Sequence, residues 1–357
     1  MRYSPILVPS VSFLSSHRPY LLGLYADRGL YGMPLETKKW RDLLSAFLGL
    51  FGFGEQKIFW DRTPLITVIG LRTVFIFLPF FLIRHRNVRL LLIFTGLGST
   101  FSHVRTARPI LFGIIKFYLN VFLTLKKNAL VIGFQNYSDP LDLLIFPYIF
   151  RSNMHYLGPS GVPLPVISGN FKATSPPYTV ILPSRLLRDK GIADFCIVAE
   201  ILHANNPGWH NLVVAGAVDP SNPCSYTQSE IDLLSSRFPV KFIGQVNDMD
   251  ALYRHAHLVL FPSHREGFPR TLCEAFSFGL PCIGYAVPGV DESIEHGFTG
   301  FLAHLGDTTS LAGYVHRITS DSKLYREMSI NCLLKASQFY SRETAAKRLQ
   351  RVLEYAL

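Results

Sequence analysis

The chain has 357 residues, of which 48% are hydrophobic, and a formal net charge of +10. At about 100–200 residues per domain this length predicts two domains. The charge favours anionic partners, but the absence of basic runs and of a basic stripe interleaved with aromatic residues argues against a nucleic-acid-binding protein. The five cysteines lie at long spacings without a CxxC pair, which argues against a disulfide framework or a zinc site.

The N-terminal half predicts few regular elements. Apolar runs at Ile6–Phe13, Leu90–Phe94 and Ala129–Phe134 are typical of strands, and the pattern at Arg18–Ala26 is typical of a helix. Met1–Leu24 lacks the continuous apolar core of a signal peptide. We therefore expect a protein of the reducing cytoplasm, in keeping with its unpaired cysteines.

The stretch Pro64–Ile83 is almost entirely apolar and long enough to cross a membrane. Arg72 lies near its centre and Pro79 interrupts it. A charge at the bilayer centre costs about 2.5–3.5 kcal/mol on insertion scales. We therefore expect a buried or membrane-surface helix followed by a strand, with one membrane span at 64–83 as the alternative.

The C-terminal half alternates short apolar runs with helical patterns. The predicted strands are Thr179–Pro183, Leu212–Gly216, Val240–Gly244, Leu258–Pro262, Cys282–Ala286 and Gly300–Ala303. The predicted helices are Ile192–His203, Glu230–Arg237, Met249–Ala256, Thr271–Phe278 and Thr308–Ile318. Continuous apolar strands that alternate with helices predict a parallel sheet covered on both faces, in an α/β, Rossmann-like, doubly wound domain.

The chain ends in two predicted helices, Ser322–Tyr340 and Arg342–Tyr355, and a Pro-rich linker ends near Pro177. We place the domain boundary at residue 172. This gives an N-terminal domain over 1–172, a C-terminal domain over 173–340, and a final helix over 341–357 that can pack back on the N-terminal domain.

Ligand-binding chemistry is concentrated in residues 263–275, directly after a predicted strand. In a doubly wound sheet ligands lie at the carboxyl ends of the strands. Gly267 allows close approach of the backbone, and the helix that starts near Thr271 offers N–H groups to an anion. Glu266 precedes this helix and Glu274 lies inside it among apolar neighbours, where a carboxylate needs a partner. Both carboxylates are candidate ligand contacts, Glu266 for sugar hydroxyls and Glu274 for ribose hydroxyls.

A second group of polar residues, 184–191, follows the first strand of the C-terminal domain. Arg185 offers a fork of donors and Lys190 a point charge, and the two together suit a diphosphate. Basic residues in a loop between a strand and a helix are usually only solvated. A functional role for Arg185 and Lys190 is better supported, because parallel strands place them at the same sheet edge as Glu266.

Asp248 and Asp250 form an Asp-x-Asp pair, which elsewhere binds metal ions. Because this pair stands directly before an apolar-periodic helix, where Asp is a common N-cap, we interpret it as a cap. We expect no metal site and no bound cofactor.

Together these segments resemble the retaining glycosyltransferases of family 4, which have the GT-B fold of two facing Rossmann-like domains. Glu266 and Glu274 match the family's Glu-x7-Glu pattern, and Arg185 and Lys190, with the following glycine, match its donor loop. The segment 242–246, ending at Val246, looks like the one that contacts the nucleotide base. The resemblance covers about residues 125–340.

The resemblance implies a catalytic role for Glu266, Arg185 and Lys190. It also implies a nucleotide-sugar site that is formed by Arg185, Lys190, Val246, Gly267, Phe268, Pro269 and Glu274. On the acceptor side, the segments that contain His17, Gly96 and Gly98 look like those of enzymes that build lipid-linked polysaccharide repeat units.

The implied activity is transfer of a hexose or N-acetylhexosamine from a UDP- or GDP-sugar. The implied acceptor is a polyprenyl-diphosphate-linked saccharide or a glycolipid, and the implied location is the inner face of a membrane. One alternative is a non-catalytic partner subunit with the same fold, because the region between residues 60 and 95 is shorter than in the family. A sugar phosphorylase of the same fold is a weaker alternative, and it would need a lysine-bound pyridoxal cofactor.

Overall fold

The computed structural model of the chain describes residues 6–8, 65–69, 89–96, 109–125, 127–145, 151–165 and 175–356. The chain divides into two compact units. Unit 1 comprises Met1–Gly161 and Glu343–Leu357, and unit 2 comprises Val162–Arg342. The boundary thus lies at residue 161, whereas the sequence led us to place it at 172. Val162 belongs to the buried core of unit 2, and its N–H donates to the Tyr340 carbonyl at 2.8 Å.

Unit 1 contains a five-stranded parallel sheet with the strand order β1-β2-β3-β4-β5. The strands are β1 (Ile6–Val8), β2 (Leu65–Ile69), β3 (Arg89–Phe94), β4 (Leu130–Phe134) and β5 (Met154–Tyr156). The helices are α1 (Pro109–Leu125) and α2 (Ser138–Leu143), and a 3₁₀ turn (Lys127–Ala129) precedes β4. Every residue of β4 and all but the first of β3 are buried, which is the usual state of the strands in a parallel sheet.

The predictions for this unit were correct in part. The strands expected at Leu90–Phe94 and Ala129–Phe134 are confirmed as β3 and β4. The strand expected at Ile6–Phe13 is confirmed over β1. The predicted helix Arg18–Ala26 lies outside the described residues.

The expectation of a helix at the start of Pro64–Ile83 is wrong, because residues 65–69 form strand β2 and pair with β3. A continuous apolar run has no periodicity that separates a buried strand from a buried helix. Residues 70–83 lie outside the described part of the chain.

Unit 2 contains a six-stranded parallel sheet and most of the described helices. The strands are β6 (Tyr178–Pro183), β7 (His210–Ala215), β8 (Val240–Phe242), β9 (Leu258–Phe261), β10 (Cys282–Tyr285) and β11 (Gly300–Ala303). The helices are α3 (Ile192–Asn205), α4 (Gln228–Arg237), α5 (Met249–His255), α6 (Arg270–Ser277), α7 (Thr308–Ser320) and α8 (Ser322–Lys335), with a 3₁₀ turn at Arg188–Lys190 and a π-helical turn at Ala336–Tyr340. Each of the strands and helices predicted between residues 179 and 318 is confirmed to within two residues at either end. The helix expected at Ser322–Tyr340 is α8, which ends at Lys335, followed by the π-helical turn.

The strand order in unit 2 is β11-β10-β9-β6-β7-β8. The chain starts at β6 in the middle, builds outward to β8, then returns to place β9 on the other side of β6. Val180 of β6 pairs with Leu258 of β9. Ligands of doubly wound sheets lie at the carboxyl ends of the strands where the order reverses. The loops that follow β6 and β9 flank this position, and they contain Arg185, Lys190 and Glu266.

The last helix, α9 (Arg342–Ala356), packs within unit 1. Leu349 and Leu353 of this helix share a buried cluster with Leu91 and Ile93 of strand β3. The Tyr355 hydroxyl donates to the Ser152 carbonyl at 2.9 Å. Among the described ranges, none of the helices combines the length and the hydrophobicity that crossing a bilayer requires.

Candidate functional site

The centre of the candidate site is an ion pair between two strand-end loops of unit 2. Lys190 Nζ donates to Glu266 Oε1 at 2.5 Å, and the Ser263 hydroxyl donates to the same oxygen at 2.7 Å. The side chains of Lys190 and Glu266 are only 16% and 14% exposed, and Ser263 is fully buried. The carboxylate is therefore held in one orientation by a charged and a neutral donor.

The backbone also joins these two loops. The His264 N–H, after β9, donates to the Asp189 carbonyl at 2.9 Å. Gly191 adopts a positive φ of 69°, and a Cβ atom there would lie 2.0 Å from the Pro262 carbonyl oxygen. The start of α3 can approach the end of β9 this closely only because residue 191 is glycine.

The loop after β10 supports the loop that contains Glu266. The Glu266 N–H donates to the Pro288 carbonyl at 3.0 Å. Gly289 has a φ of 82°, and a Cβ atom there would lie 2.5 Å from the Gly267 carbonyl oxygen. Gly289 therefore fixes the path of the backbone on both sides of the Glu266–Gly267 peptide.

Glu274 lies on α6, and donors reach both of its carboxylate oxygens. Arg270 Nε donates to Oε1 at 2.6 Å, and the Tyr253 hydroxyl donates to Oε2 at 3.1 Å. The Glu274 side chain is 22% exposed. Burial, followed by the charge of Glu274, raises the pKa of Tyr253, so the phenol is a donor at neutral pH.

Arg185 lies at the same sheet edge but outside the Lys190–Glu266 cluster. Its Nη1 atom is 3.3 Å from Asp219 Oδ2, in the loop after β7, and its side chain is 63% exposed. A hydrogen bond from Ser221, followed by the charge of Arg185, lowers the pKa of Asp219. Arg185 is thus a solvent-facing cation that is tethered at one end.

The remaining predicted contacts of unit 2 lie in the loop after β8 and in the loop between β9 and α6. Val246 is half-buried in the loop after β8. Phe268 packs edge-on against Tyr340, with 5.7 Å between ring centroids. Pro269 is buried and stands directly before the first residue of α6, where free N–H groups favour an anion.

Of the residues predicted for the acceptor side, Gly96 alone lies in the described part of unit 1. It follows β3 and has a φ of 112°. His17 and Gly98 lie outside the described residues, so their roles stay predictions. Asp248 accepts from the Ala251 N–H at 2.9 Å, which confirms it as the N-cap of α5. No group of three or more potential metal ligands occurs among the residues that the structure describes.

Three partners of the predicted site residues were not identified from the sequence. Tyr253 lies in an apolar-periodic helix and has the pattern of an ordinary core residue. Asp219 and Ser263 are polar loop residues of a common kind. Tyr253 and Asp219 lie 21 and 34 residues from their partners along the chain. Ser263 lies only 3 residues from Glu266, but a serine in a loop carries no signal that it contacts a particular carboxylate.

The sequence matches a known family over most of unit 2. Residues 167–332 match the family described as Glycosyl transferases group 1. The match contains every predicted nucleotide-sugar contact.

Two curated relatives match parts of the chain. The N-acetyl-alpha-D-glucosaminyl L-malate synthase of Bacillus anthracis is 39% identical over 89 residues, which is 25% of this chain and 23% of that protein. The UDP-Gal:alpha-D-GlcNAc-diphosphoundecaprenol alpha-1,3-galactosyltransferase of Escherichia coli is 32% identical over 156 residues, which is 43% of this chain and 40% of that protein. The chain thus spans less than half the length of these relatives.

The crystal structure of Anabaena Alr3699/HepE in complex with UDP resembles the whole chain. The TM-score is 0.73 at 16% identity, with 99% of this chain and 100% of that chain covered. At this identity the likeness shows the fold, which is the mixed α/β fold of GT-B glycosyltransferases.

Proposed function

We propose that this chain is a retaining glycosyltransferase that moves a hexose or N-acetylhexosamine from a UDP- or GDP-sugar to a lipid-linked saccharide acceptor. The acceptor is a polyprenyl-diphosphate-linked sugar or a glycolipid at the cytoplasmic face of a membrane. The proposed pathway class is the synthesis of cell-surface polysaccharide. The galactosyltransferase relative, whose name specifies a diphosphoundecaprenol-linked acceptor, supports this choice.

One observation carries the proposal. The Lys190–Glu266 ion pair joins the loops that follow β6 and β9, which flank the point where the strand order of unit 2 reverses. In this position a sheet of this class binds its ligand. A largely buried lysine, a tethered exposed arginine and the start of α6 supply positive charge at one edge. A nucleoside diphosphate brings the complementary negative charge.

Each side chain has a proposed role in the transfer. Lys190 and Arg185 neutralise the departing diphosphate, assisted by N–H groups between Gly267 and the first turn of α6. Glu266 binds sugar hydroxyls and stabilises positive charge that develops at the anomeric carbon. Placing fixed charges where charge develops is the main catalytic contribution that these residues supply.

The acceptor hydroxyl attacks from the face that the diphosphate leaves, and the leaving phosphate takes its proton. This route needs neither a strong protein base nor a metal ion. Glu274 accepts hydrogen bonds from the ribose hydroxyls, and Val246 lies beside the base. Phe268 and Pro269 shape the loop around the diphosphate.

An apolar stripe on α1 supports the membrane location. Ile114, Phe117, Tyr118, Val121 and Leu125 recur at helical spacing and are between 39% and 67% exposed. A contiguous exposed apolar face marks a binding surface. A helix of this kind on a chain with a net charge of +10 suits an anionic lipid surface.

The test is a transfer assay with radiolabelled UDP-glucose, UDP-galactose, UDP-N-acetylglucosamine and GDP-mannose. Undecaprenyl-diphosphate-linked N-acetylglucosamine and crude membrane lipid serve as acceptors, and the label is followed into the organic phase. We expect one donor to label the lipid, with loss of label in Glu266→Gln. Proton NMR of the product gives the anomeric configuration, and an inverted product would contradict the retaining mechanism.

A second readout separates catalysis from binding. If a folded wild-type protein binds a nucleotide but neither transfers nor hydrolyses its sugar with any acceptor, the catalytic proposal fails and the chain is a donor-binding partner subunit.

A further inference from the structure

Two donors from different elements hold the Glu274 carboxylate. Arg270 lies one turn earlier on the same helix and contacts Oε1, whereas Tyr253 reaches Oε2 from α5. The Arg270 side chain is 38% exposed, so this i,i+4 pair by itself constrains the carboxylate weakly. Tyr253 is only 1% exposed and is the more rigid of the two partners.

Packing fixes the position of the Tyr253 hydroxyl. The ring stacks on Phe278 with 5.3 Å between centroids and 24° between planes. A fully buried, stacked phenol has one rotamer. Its hydroxyl therefore presents a donor at a defined point beside α6.

The Glu274 side chain is not fully enclosed, because 22% of it is exposed. Tyr253 and Glu274 line a cavity of about 70 Å³ together with Met249, Ser277 and two prolines, Pro163 and Pro165. Each carboxylate oxygen accepts more than one hydrogen bond, so the bonds from Arg270 and Tyr253 leave acceptor capacity toward this cavity.

We propose that Tyr253 is a positioning residue that sets the ribose specificity of the nucleotide site by holding Glu274 Oε2 in place. The inference rests on the proposed function, in which Glu274 accepts the ribose hydroxyls. A carboxylate that is already fixed loses no rotamer freedom when the nucleotide binds. Without the Tyr253 hydroxyl, Glu274 turns about its terminal torsion and this advantage is lost.

The test measures the affinity of Tyr253→Phe for UDP, or for GDP if wild type prefers it, and for the corresponding 2′,3′-dideoxynucleotide. Calorimetric titration gives both dissociation constants. We expect ribonucleotide binding to weaken about fivefold to tenfold, the size of one ordinary hydrogen bond, because Glu274 stays in place as an acceptor but is less well positioned, whereas dideoxynucleotide binding stays within about twofold. At saturating donor, kcat stays near the wild-type value while the donor KM rises.

The control is Tyr325→Phe, which removes another buried phenol hydroxyl of unit 2. Tyr325 lies on α8 and is 3% exposed, and a general loss of packing would affect it equally. We expect the preference for ribonucleotide over dideoxynucleotide to be unchanged in this variant. In a Glu274→Gln background, Tyr253→Phe should add no further loss of preference.

A second variant covers the case in which Tyr253→Phe does not fold. Phe278→Leu keeps the Tyr253 hydroxyl but removes the ring that it stacks on, and we expect a smaller loss of preference in the same direction. Full retention of the preference in both variants, or in the one that folds, overturns the inference and leaves the proposed function standing. If folded wild type binds neither UDP nor GDP, the proposed function fails, and the inference fails with it.

Discussion

The two units differ in the side chains that follow their strands. In unit 2 the loops after β6 and β9 contain Arg185, Lys190 and Glu266, and two of these three form a largely buried ion pair. In unit 1 the described residues that follow β3 and β4 are Thr95-Gly96 and Gln135-Asn136. The loops of unit 2 thus place an ion pair at the strand ends, whereas the residues after β4 in unit 1 are two amides, followed on α2 by the buried Asp139.

The difference in chemistry accompanies a difference in strand order. In unit 2 the strand order reverses between β6 and β9, and a doubly wound sheet binds its ligand where the order reverses. The five described strands of unit 1 follow one another in chain order. Under the proposed function, the nucleotide-sugar donor therefore binds to unit 2.

The largest expected effect comes from removing the charge of Glu266. Glu266→Gln keeps the size of the side chain, so we expect kcat to fall about 10²–10³-fold, as for loss of one preorganised electrostatic contact. The measurement is sugar transfer at saturating donor. Glu230→Gln is the matched control, because Glu230 forms a salt bridge with Arg188 in the same unit but on an exposed surface. Equal losses in both variants would contradict a role specific to Glu266.

The contribution of the Lys190–Glu266 ion pair to the free energy of unfolding can be measured by removing Lys190. Lys190→Met leaves the Glu266 carboxylate largely buried without its cation, and we expect the free energy of unfolding to fall by up to about 3 kcal/mol. Urea denaturation measures the change. The comparison is Arg188→Met, which breaks an exposed ion pair, and an exposed pair contributes little to stability. If the two variants are equally stable, the Lys190–Glu266 pair is not a buried pair in solution.

Substitutions at two glycines distinguish the cost of backbone strain from the loss of support for the loop that contains Glu266. Gly289 and Gly208 both have positive φ, 82° and 79°, but only at Gly289 would a Cβ atom meet other atoms. We expect Gly208→Ala to lower the free energy of unfolding by about 1–2 kcal/mol with unchanged activity. Gly289→Ala has the same strain and also displaces the Glu266–Gly267 backbone. We therefore expect it to lower both the free energy of unfolding and the affinity for the nucleotide-sugar donor. Normal donor affinity in a folded Gly289→Ala variant would show that this contact does not position the loop.

The exposed apolar stripe of α1, in unit 1, is the proposed membrane-binding surface, and substitutions in it test that role. The double variant Phe117→Ser/Val121→Ser removes exposed apolar area, so we expect weaker binding to phosphatidylglycerol vesicles in a flotation assay, by about tenfold. Nucleotide affinity, which the proposed function assigns to unit 2, should not change. Leu233→Ser is the control, because Leu233 is similarly exposed but lies on α4 of unit 2. Undiminished flotation of the double variant would contradict a membrane role for this face.

The smallest effect concerns acid stability of unit 2. Burial, with the charge of His316 as a second cause, lowers the pKa of His210 to about 4, whereas a histidine in an unfolded chain titrates near 6.5. The unfolded state therefore binds more protons between these values. The stability contribution is present above pH 6.5 and is lost as the pH falls toward 4. We expect His210→Gln to reduce the fall in Tm across this range, and an unchanged slope would contradict a buried neutral His210.

The same comparison explains how far the sequence predicted the structure. In unit 2 each strand is a short apolar run between turns, such as Leu258–Phe261, and its helices begin at caps such as Asp248 and Asp307. These local signals agree with the fold, so the elements were predicted closely. In unit 1 the run that begins at Pro64 is almost entirely apolar, and we expected a helix followed by a strand although its first part forms β2.

The candidate site was predictable only for residues with a local signal. Glu266 and Lys190 lie in loops that follow strands, and Glu274 is a charge among the apolar neighbours of α6. Tyr253 acquires its contact with Glu274 only when α5 and α6 pack together. Such partners depend on tertiary packing, which no spacing along the chain encodes.

The most direct test of the account is calorimetric titration of UDP and GDP into folded wild-type protein and into Glu274→Ala. The account predicts that wild type binds one of the two nucleotides and that the variant binds it at least about tenfold more weakly, because a ribose contact to a charged acceptor is lost. If neither nucleotide binds wild type, the charged edge of unit 2 is not a nucleotide-sugar site, and the proposed function is wrong.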